Sequence, residues 1–267
     1  MEVENMEELI KIEQKGNIKI VTLNRPKALN SISSQLARDF HKVLGEIKFD
    51  METRCLIITG EGRSFCAGAD LKERQTYTPE ERGRKIQEMN ELVTTLFEKI
   101  ETLEIPTIAA VNGFALGGGM ELAISCDMRI AGEQSIFGFP EIDYGSYPGA
   151  GGPTMLPRRI PMGKAKLLLF TGRRISAREA EKYDLVEEVV PQDQVLAKAL
   201  ELAEEIAQHA PLALRELKKA ITYGLNTTPD LSRKISIWLR RAIDVSEDYQ
   251  EGLRARNEKR KPVFKGR

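Results

Sequence analysis

Two glutamates in glycine-bearing surroundings, Glu121 and Glu141, are the residues of this chain best suited to do chemistry. Two carboxyls held in different environments can divide acid and base work near neutral pH. Glu121 follows Ala115-Leu116-Gly117-Gly118-Gly119-Met120, and Glu141 ends Phe137-Gly138-Phe139-Pro140. The triple glycine lies between an apolar extended stretch (107–112) and a helical-looking stretch (121–126), so it reads as the turn that opens a helix. Such a turn aims unused backbone N–H groups at whatever lies above it. Glu121, in the first turn of that helix, is expected to be held ionised by the helix dipole, whereas the apolar neighbours of Glu141 should disfavour its charge.

A second small-residue turn, Phe65-Cys66-Ala67-Gly68-Ala69-Asp70-Leu71, follows another strand-like stretch. Small residues there allow a ligand to approach the backbone closely. If this turn faces Gly117 to Gly119, their convergent amides could stabilise a carbonyl oxygen that acquires negative charge. Either turn alone also reads as an ordinary tight strand-to-helix connection.

The elements that must position these groups alternate in kind. Short β-branched or apolar runs at 17–23, 55–59, 107–111, 127–131 and 186–190 read as strands. Helical patterns fall at 33–49, 79–102, 119–126 and 177–183, two of them opened by capping sequences, Thr78-Pro79-Glu80-Glu81 and Ser176-Ala177-Arg178-Glu179. This predicts an α/β domain. After Pro191 only helices are expected, at 193–208, 211–223, 229–245 and 246–256, with apolar stripes for the main domain or a sister subunit.

Composition bounds the rest. The 267 residues carry 40 basic and 40 acidic side chains, so no net field recruits nucleic acid. The basic stretch 251–267 reads as a solvated, frayed end rather than as an anion site. Three cysteines without CxxC spacing, and no secretory signal, point to a reducing, cytoplasmic setting. Residues 1–13 are acidic, and no apolar run approaches the roughly eighteen residues of a membrane span. With only His41 and His209 present, both on expected helices, a histidine-rich metal centre is disfavoured. Cys66 reads as a small packed thiol rather than as a nucleophile, and Cys55 and Cys126 as core.

Taken together, Leu23-Asn24-Arg25-Pro26-Lys27-Ala28-Leu29-Asn30, the stretch from Phe65 to Leu71, the stretch from Ala110 to Ala123, and Pro140-Glu141 followed by Pro148-Gly149-Ala150-Gly151-Gly152 resemble the enoyl-CoA hydratase/isomerase family, the crotonases. The likeness runs from about residue 10 to the C-terminus. It implies a spiral of ββα units with two roughly perpendicular sheets over residues 1–195, and a helical oligomerisation region over 196–267 that forms homotrimers or dimers of trimers. It further implies an acyl-CoA thioester substrate, no separate cofactor and no metal. The amides of Ala69 and Gly118 then form the oxyanion hole, Glu121 and Glu141 are the catalytic pair, and the Gly149 amide helps hold the reacting water. Lys27, Ala28, Leu29, Ala67, Asp70 and Leu71 fall where the family lines its CoA and pantetheine channel, and Lys259 where it reaches CoA phosphate.

On this resemblance the expected activity is hydration of a trans-2-enoyl-CoA, with Glu121 orienting the water and Glu141 protonating the α-carbon. A Δ3-Δ2 enoyl-CoA isomerase, or a specialised acyl-CoA dehydratase, is the alternative within the family, and the presence of both glutamates favours hydration. An RNA- or CoA-binding protein without turnover is the alternative of another class, and nucleic acid is disfavoured because residues 33–50 show no continuous basic stripe. Residues 73–90 are expected to form a polar, mobile border of the acyl pocket, with Asp143, Tyr144 and Tyr147 giving its rim a polar aspect.

Overall fold

The computed structural model describes residues 8–267, so the start of the acidic N-terminal stretch, residues 1–7, lies outside it. The chain winds through units that each give one strand to a long sheet, one short strand to a second sheet, and then a helix. An opening hairpin, β1 (Ile10–Lys15) and β2 (Ile18–Leu23), leads into α1 (Ser34–Phe49). Next come β3 (Cys55–Gly60), β4 (Ser64–Cys66), α2 (Leu71–Gln75) and α3 (Pro79–Glu101). They are followed by β5 (Thr107–Val111), β6 (Phe114–Leu116) and α4 (Gly118–Ser125). The last unit contains β7 (Met128–Gly132), β8 (Ile136–Gly138), a 3-10 turn (Pro140–Tyr144), α5 (Gly152–Arg159) and α6 (Met162–Thr171). After it come β9 (Arg174–Ser176), α7 (Ala177–Lys182) and β10 (Glu188–Val190).

The long sheet has the order β1-β2-β3-β5-β7-β10 and is parallel apart from the opening hairpin. All residues of β3 and β5 are buried, as expected of strands covered on both faces. Helices α1, α3 and α4 supply one cover, through Phe40, Leu44, Leu96, Phe97 and Met120 among others. Helix α8 (Val195–Ala207) supplies the other, setting Val195, Ala199 and Ala203 on Ile20, Ile57, Ile108 and Ile130. The second sheet, β4-β6-β8-β9, is parallel through its first three strands. Its register places Cys66 beside Ala115 and Leu116 beside Gly138. The turns leaving β4, β6 and β8 therefore emerge side by side, and they contain Ala69, Gly118 and Glu141.

Local signals account for the helix starts. Thr78 Oγ accepts the Glu81 amide at 3.3 Å, and Ser176 with Glu179 forms a reciprocal capping box. The chain ends with α9 (Pro211–Gly224), α10 (Pro229–Asp244) and α11 (Glu247–Asn257). Helices α9 and α10 leave Leu217, Ile221, Leu225, Ile237 and Trp238 exposed. The basic tail is not frayed as expected, but folds back on α11. There the buried Asp248 carboxylate accepts the Lys265 and Gly266 amides at 2.6 and 2.8 Å, and Arg260 pairs with Glu251. Asp248 lies just before the basic run and Glu251 at its first position, and the fold brings both against its later part. No helix among the described residues is long and apolar enough to cross a membrane.

Candidate active site

Glu121 is placed by the abrupt start of α4. Gly117 has φ 53°, and a methyl group there would lie 2.5 Å from Glu141 Oε1; at Gly119 it would lie 1.9 Å from the Cys66 carbonyl oxygen. Only glycine lets this turn pass between the other two. Glu121 itself is 4% exposed, and its Oε1 accepts the amides of Ala150 and Gly152, both at 2.8 Å. Burial dominates its ionisation and pushes the carboxyl up to about 7; the Gly152 amide pulls it down and the neighbouring Glu141 charge pushes it further up. The expected contrast between an ionised Glu121 and an uncharged Glu141 is thus corrected. The dipole of a two-turn helix is outweighed by loss of solvent.

Glu141 stands in the 3-10 turn after β8. Burial raises its carboxyl too, opposed by its own amide and by the charge of Arg74. Its Oε2 is buried without a hydrogen-bond partner among the described residues. Two raised carboxyls in one cavity titrate as a pair and can hold one proton between them.

Ala69 and Gly118 line the same cavity. Around Ala69 the backbone is pinned on both sides, because the Ile32 amide donates to the Gly68 carbonyl and the Asp70 amide to the Ile32 carbonyl, at 2.8 and 3.1 Å. The Ala69 N–H between them is left free of these bonds. Gly118 opens α4, so its N–H has no acceptor within the helix. A methyl at Gly68, whose φ is 90°, would reach within 3.2 Å of the Gly118 nitrogen, which measures how closely the two turns meet. Asp70 secures the arrangement by capping α2 through the Lys72 and Glu73 amides and by pairing with Arg25 at 2.8 Å. Burial alone would raise the Asp70 carboxyl, but the Arg25 bond and these amides outweigh it and hold it below its ordinary value.

A cavity of about 350 Å³ brings together Ala67, Ala69, Leu71, Gly118, Glu121, Glu141 and Gly149. It does not include Lys27, Ala28, Leu29, Asp70 or Lys259. Leu29 lies next to its rim, since its carbonyl accepts the Ala67 amide at 3.0 Å, and Lys27 and Ala28 occupy the 3-10 turn just before it. Lys259 is exposed in a left-handed conformation, φ 54°, after α11. The cavity also contains residues that the sequence reading did not single out, chiefly Arg74, Ile86, Met89, Asn90 and Val93. Residues 73–90 are therefore less polar toward the pocket than expected. The i, i+3, i+7 spacing of Ile86, Met89 and Val93 along α3 was the signal available for that apolar face. Cys66 is fully buried, with its thiol pushed up to about 12 by burial, and so is unreactive. His41 is tied to the Leu92 carbonyl at 2.8 Å, away from the cavity.

The ββα winding, and a cavity lined by Ala69 and Gly118 together with the buried Glu121 and the half-buried Glu141, define an α/β protein whose pocket can hold a polarised carbonyl beside an acid–base pair. The chain matches the enoyl-CoA hydratase/isomerase family model over residues 13–267, and it belongs to that family. It is 41% identical over 251 residues to the short-chain-enoyl-CoA hydratase of Clostridium acetobutylicum, covering 94% of this chain and 95% of the relative. It is 40% identical over 258 residues to an enoyl-CoA isomerase/hydratase of Mycosarcoma maydis, with 92% of each covered. The crystal structure of an enoyl-CoA hydratase from Bacillus anthracis superposes with a TM-score of 0.94 at 40% identity, covering 97% of this chain and all of the other.

Proposed function

We propose that this chain is a hydro-lyase that adds water reversibly across the double bond of a trans-2-enoyl-CoA to give a 3-hydroxyacyl-CoA. The observation that supports the reading is that Glu121 and Glu141 line one cavity with Ala69 and Gly118. Isomerisation of a double bond needs one group to move a proton along the chain, whereas hydration must deprotonate a water and protonate the α-carbon. Two carboxyls serve the second task directly.

In the hydration direction the thioester oxygen accepts the Ala69 and Gly118 N–H groups, and each such donor is worth about 3 kcal/mol as negative charge builds there. When the proton that the pair shares rests on Glu141, the ionised Glu121, fixed by Ala150 and Gly152, takes a proton from water as the water oxygen bonds to the β-carbon. The displaced electron pair moves toward the thioester oxygen, and protonated Glu141 delivers its proton to the α-carbon. The pair ends with its proton exchanged from one carboxyl to the other and is reset through solvent. The Gly149 amide, at the cavity wall, would hold the attacking water. Lys27, Ala28, Leu29, Ala67, Asp70 and Leu71 would border the CoA and pantetheine channel, with Lys259 reaching CoA phosphate from a flank of the same subunit or a neighbour.

Exposed apolar side chains on α9 and α10 support assembly into a homotrimer or a dimer of trimers, which sedimentation would reveal. Three unpaired, buried thiols suit a cytoplasmic enzyme. The deciding experiment offers crotonyl-CoA and a 3-enoyl-CoA to the purified protein and follows loss of the conjugated thioester or its appearance. Hydration of crotonyl-CoA supports the reading. Conversion of the 3-enoyl-CoA to the 2-enoyl-CoA without net hydration would make the chain an isomerase.

A further inference from the structure

Arg74, in the wall of the cavity, is a cation without a carboxylate partner among the described residues. Two other arginines, the half-buried Arg25 and the buried Arg129, are paired, with Asp70 and Glu187. Arg74 is half-buried on α2, and its one side-chain hydrogen bond among the described residues is a long contact, 3.4 Å, to the amide oxygen of Asn90. Asn90 lies on α3 in the same wall as Ile86, Met89 and Val93. The Arg74 charge is also felt at Glu141, the carboxyl that faces the acyl α-carbon in the proposed reaction. Among the described residues Arg74 is the only cation in the lining; the other ionisable groups there are Glu121, Glu141 and two tyrosines.

The cavity size bears on what could reach this group. At roughly 30 Å³ for each water-sized group, about 350 Å³ holds on the order of a dozen groups, enough for the thioester head and a short acyl chain. A short chain that passes Glu141 toward the α3 wall ends near Arg74 and Asn90. A methyl end would leave the guanidinium facing an apolar group with its solvent displaced. A carboxylate end would accept its N–H groups in a charge-assisted, two-pronged contact and would accept further from the Asn90 amide after a flip of that side chain.

We propose that Arg74, assisted by Asn90, selects short enoyl-CoA substrates whose acyl chain ends in a carboxylate. The inference rests on the enoyl-CoA reading of the site and names the substrate class within it. Arg74 acts here on specificity and not on the reacting atoms. Its influence on Glu141 is common to all substrates, so it cancels when two substrates are compared on one protein.

The test compares two short trans-2-enoyl-CoA thioesters of equal length, one ending in carboxylate and one in methyl, in wild type and in Arg74→Gln and Arg74→Lys. In parallel, calorimetry measures binding of the two saturated acyl-CoA counterparts. Wild type is expected to favour the carboxylate substrate by at least about tenfold in kcat/KM, mostly through KM. Arg74→Gln should lower that ratio by at least about tenfold, and Arg74→Lys should restore part of it. A wild-type ratio near one, or a Gln variant that slows both substrates equally, would overturn the proposal. If neither thioester is hydrated yet the carboxylate counterpart still binds selectively through Arg74, the hydratase reading fails and the recognition stands. Hydration of both without selectivity removes the Arg74 role alone.

Discussion

Replacing Glu121 by glutamine should stabilise the protein at alkaline pH while disabling it. Burial lifts this carboxyl from its ordinary 4.5 to about 7. An acid with a raised folded-state value binds its proton more tightly in the native state than in the unfolded one. Its favourable contribution is therefore complete below about 4.5 and is lost as pH rises through about 7. At pH 8 the native state carries a desolvated charge, and the shift corresponds to about 3 kcal/mol at 1.36 kcal/mol per pH unit. Glutamine carries no charge, and its carbonyl oxygen can still accept the Ala150 and Gly152 amides that Glu121 Oε1 accepts now. For a chain of this size about 3 kcal/mol is a rise of roughly 6–12 °C in Tm. Calorimetric scans of both proteins at equal concentration from pH 5 to pH 8 should show a gap that is small at the acid end and widens with pH. A gap that is constant, or that narrows as pH rises, would refute the assignment of a buried, strained charge to Glu121.

Three further changes probe the rest of the site. Glu141→Gln should lower kcat for hydration by about a hundredfold or more, with the fold kept by circular dichroism, because the α-carbon loses its proton donor. Gly118→Pro removes one N–H at the first position of α4, where proline is compatible with a helix, and should cost about 10²–10³ in kcat, read in the same assay. Asp70→Ala removes the α2 cap and leaves Arg25 unpaired; urea unfolding should show a loss of about 2–3 kcal/mol, together with slower turnover as the Ala69 amide loosens.

The long elements were legible because their signals are local. The helix expected at 33–49 is Ser34–Phe49, and the strand expected at 107–111 is Thr107–Val111, each marked by its own periodicity or composition. Strands β4, β6, β8 and β9 were not legible, since three residues carry no alternation to read and exist as strands only through partners distant in sequence. Helix α6 was missed, and of α5 only the start at Gly152-Pro153 was readable, since it lacks a side-chain cap and carries Pro157 inside it. Which residues form the site was readable from glycine and glutamate together. The charge state of Glu121 was not, because the dipole belongs to its own helix whereas the burial that overrides it comes from the loop of Ala150 and Gly152, some thirty positions later. The folded-back tail failed for a similar reason: Asp248 and Glu251, which hold it, lie on a helix nine or more positions before the groups they bind.

The same close approach explains both the chemistry and its energetic cost. Glu121, Glu141 and the two amides can meet only because the turns after β4, β6 and β8 leave adjacent parallel strands, and because glycine at 117 and 119 lets α4 begin almost in contact with both neighbours. From Gly119 to Ser125 every residue of α4 is buried, so the helix is held by the core and cannot shift to relieve a charge at its start. A looser turn would admit water, return Glu121 toward its ordinary value and weaken it as a base at neutral pH. In the proposed reaction the rigid one would keep a carboxyl poised near neutrality and two amides already aimed, so that the reorganisation is paid during folding and not during each turnover.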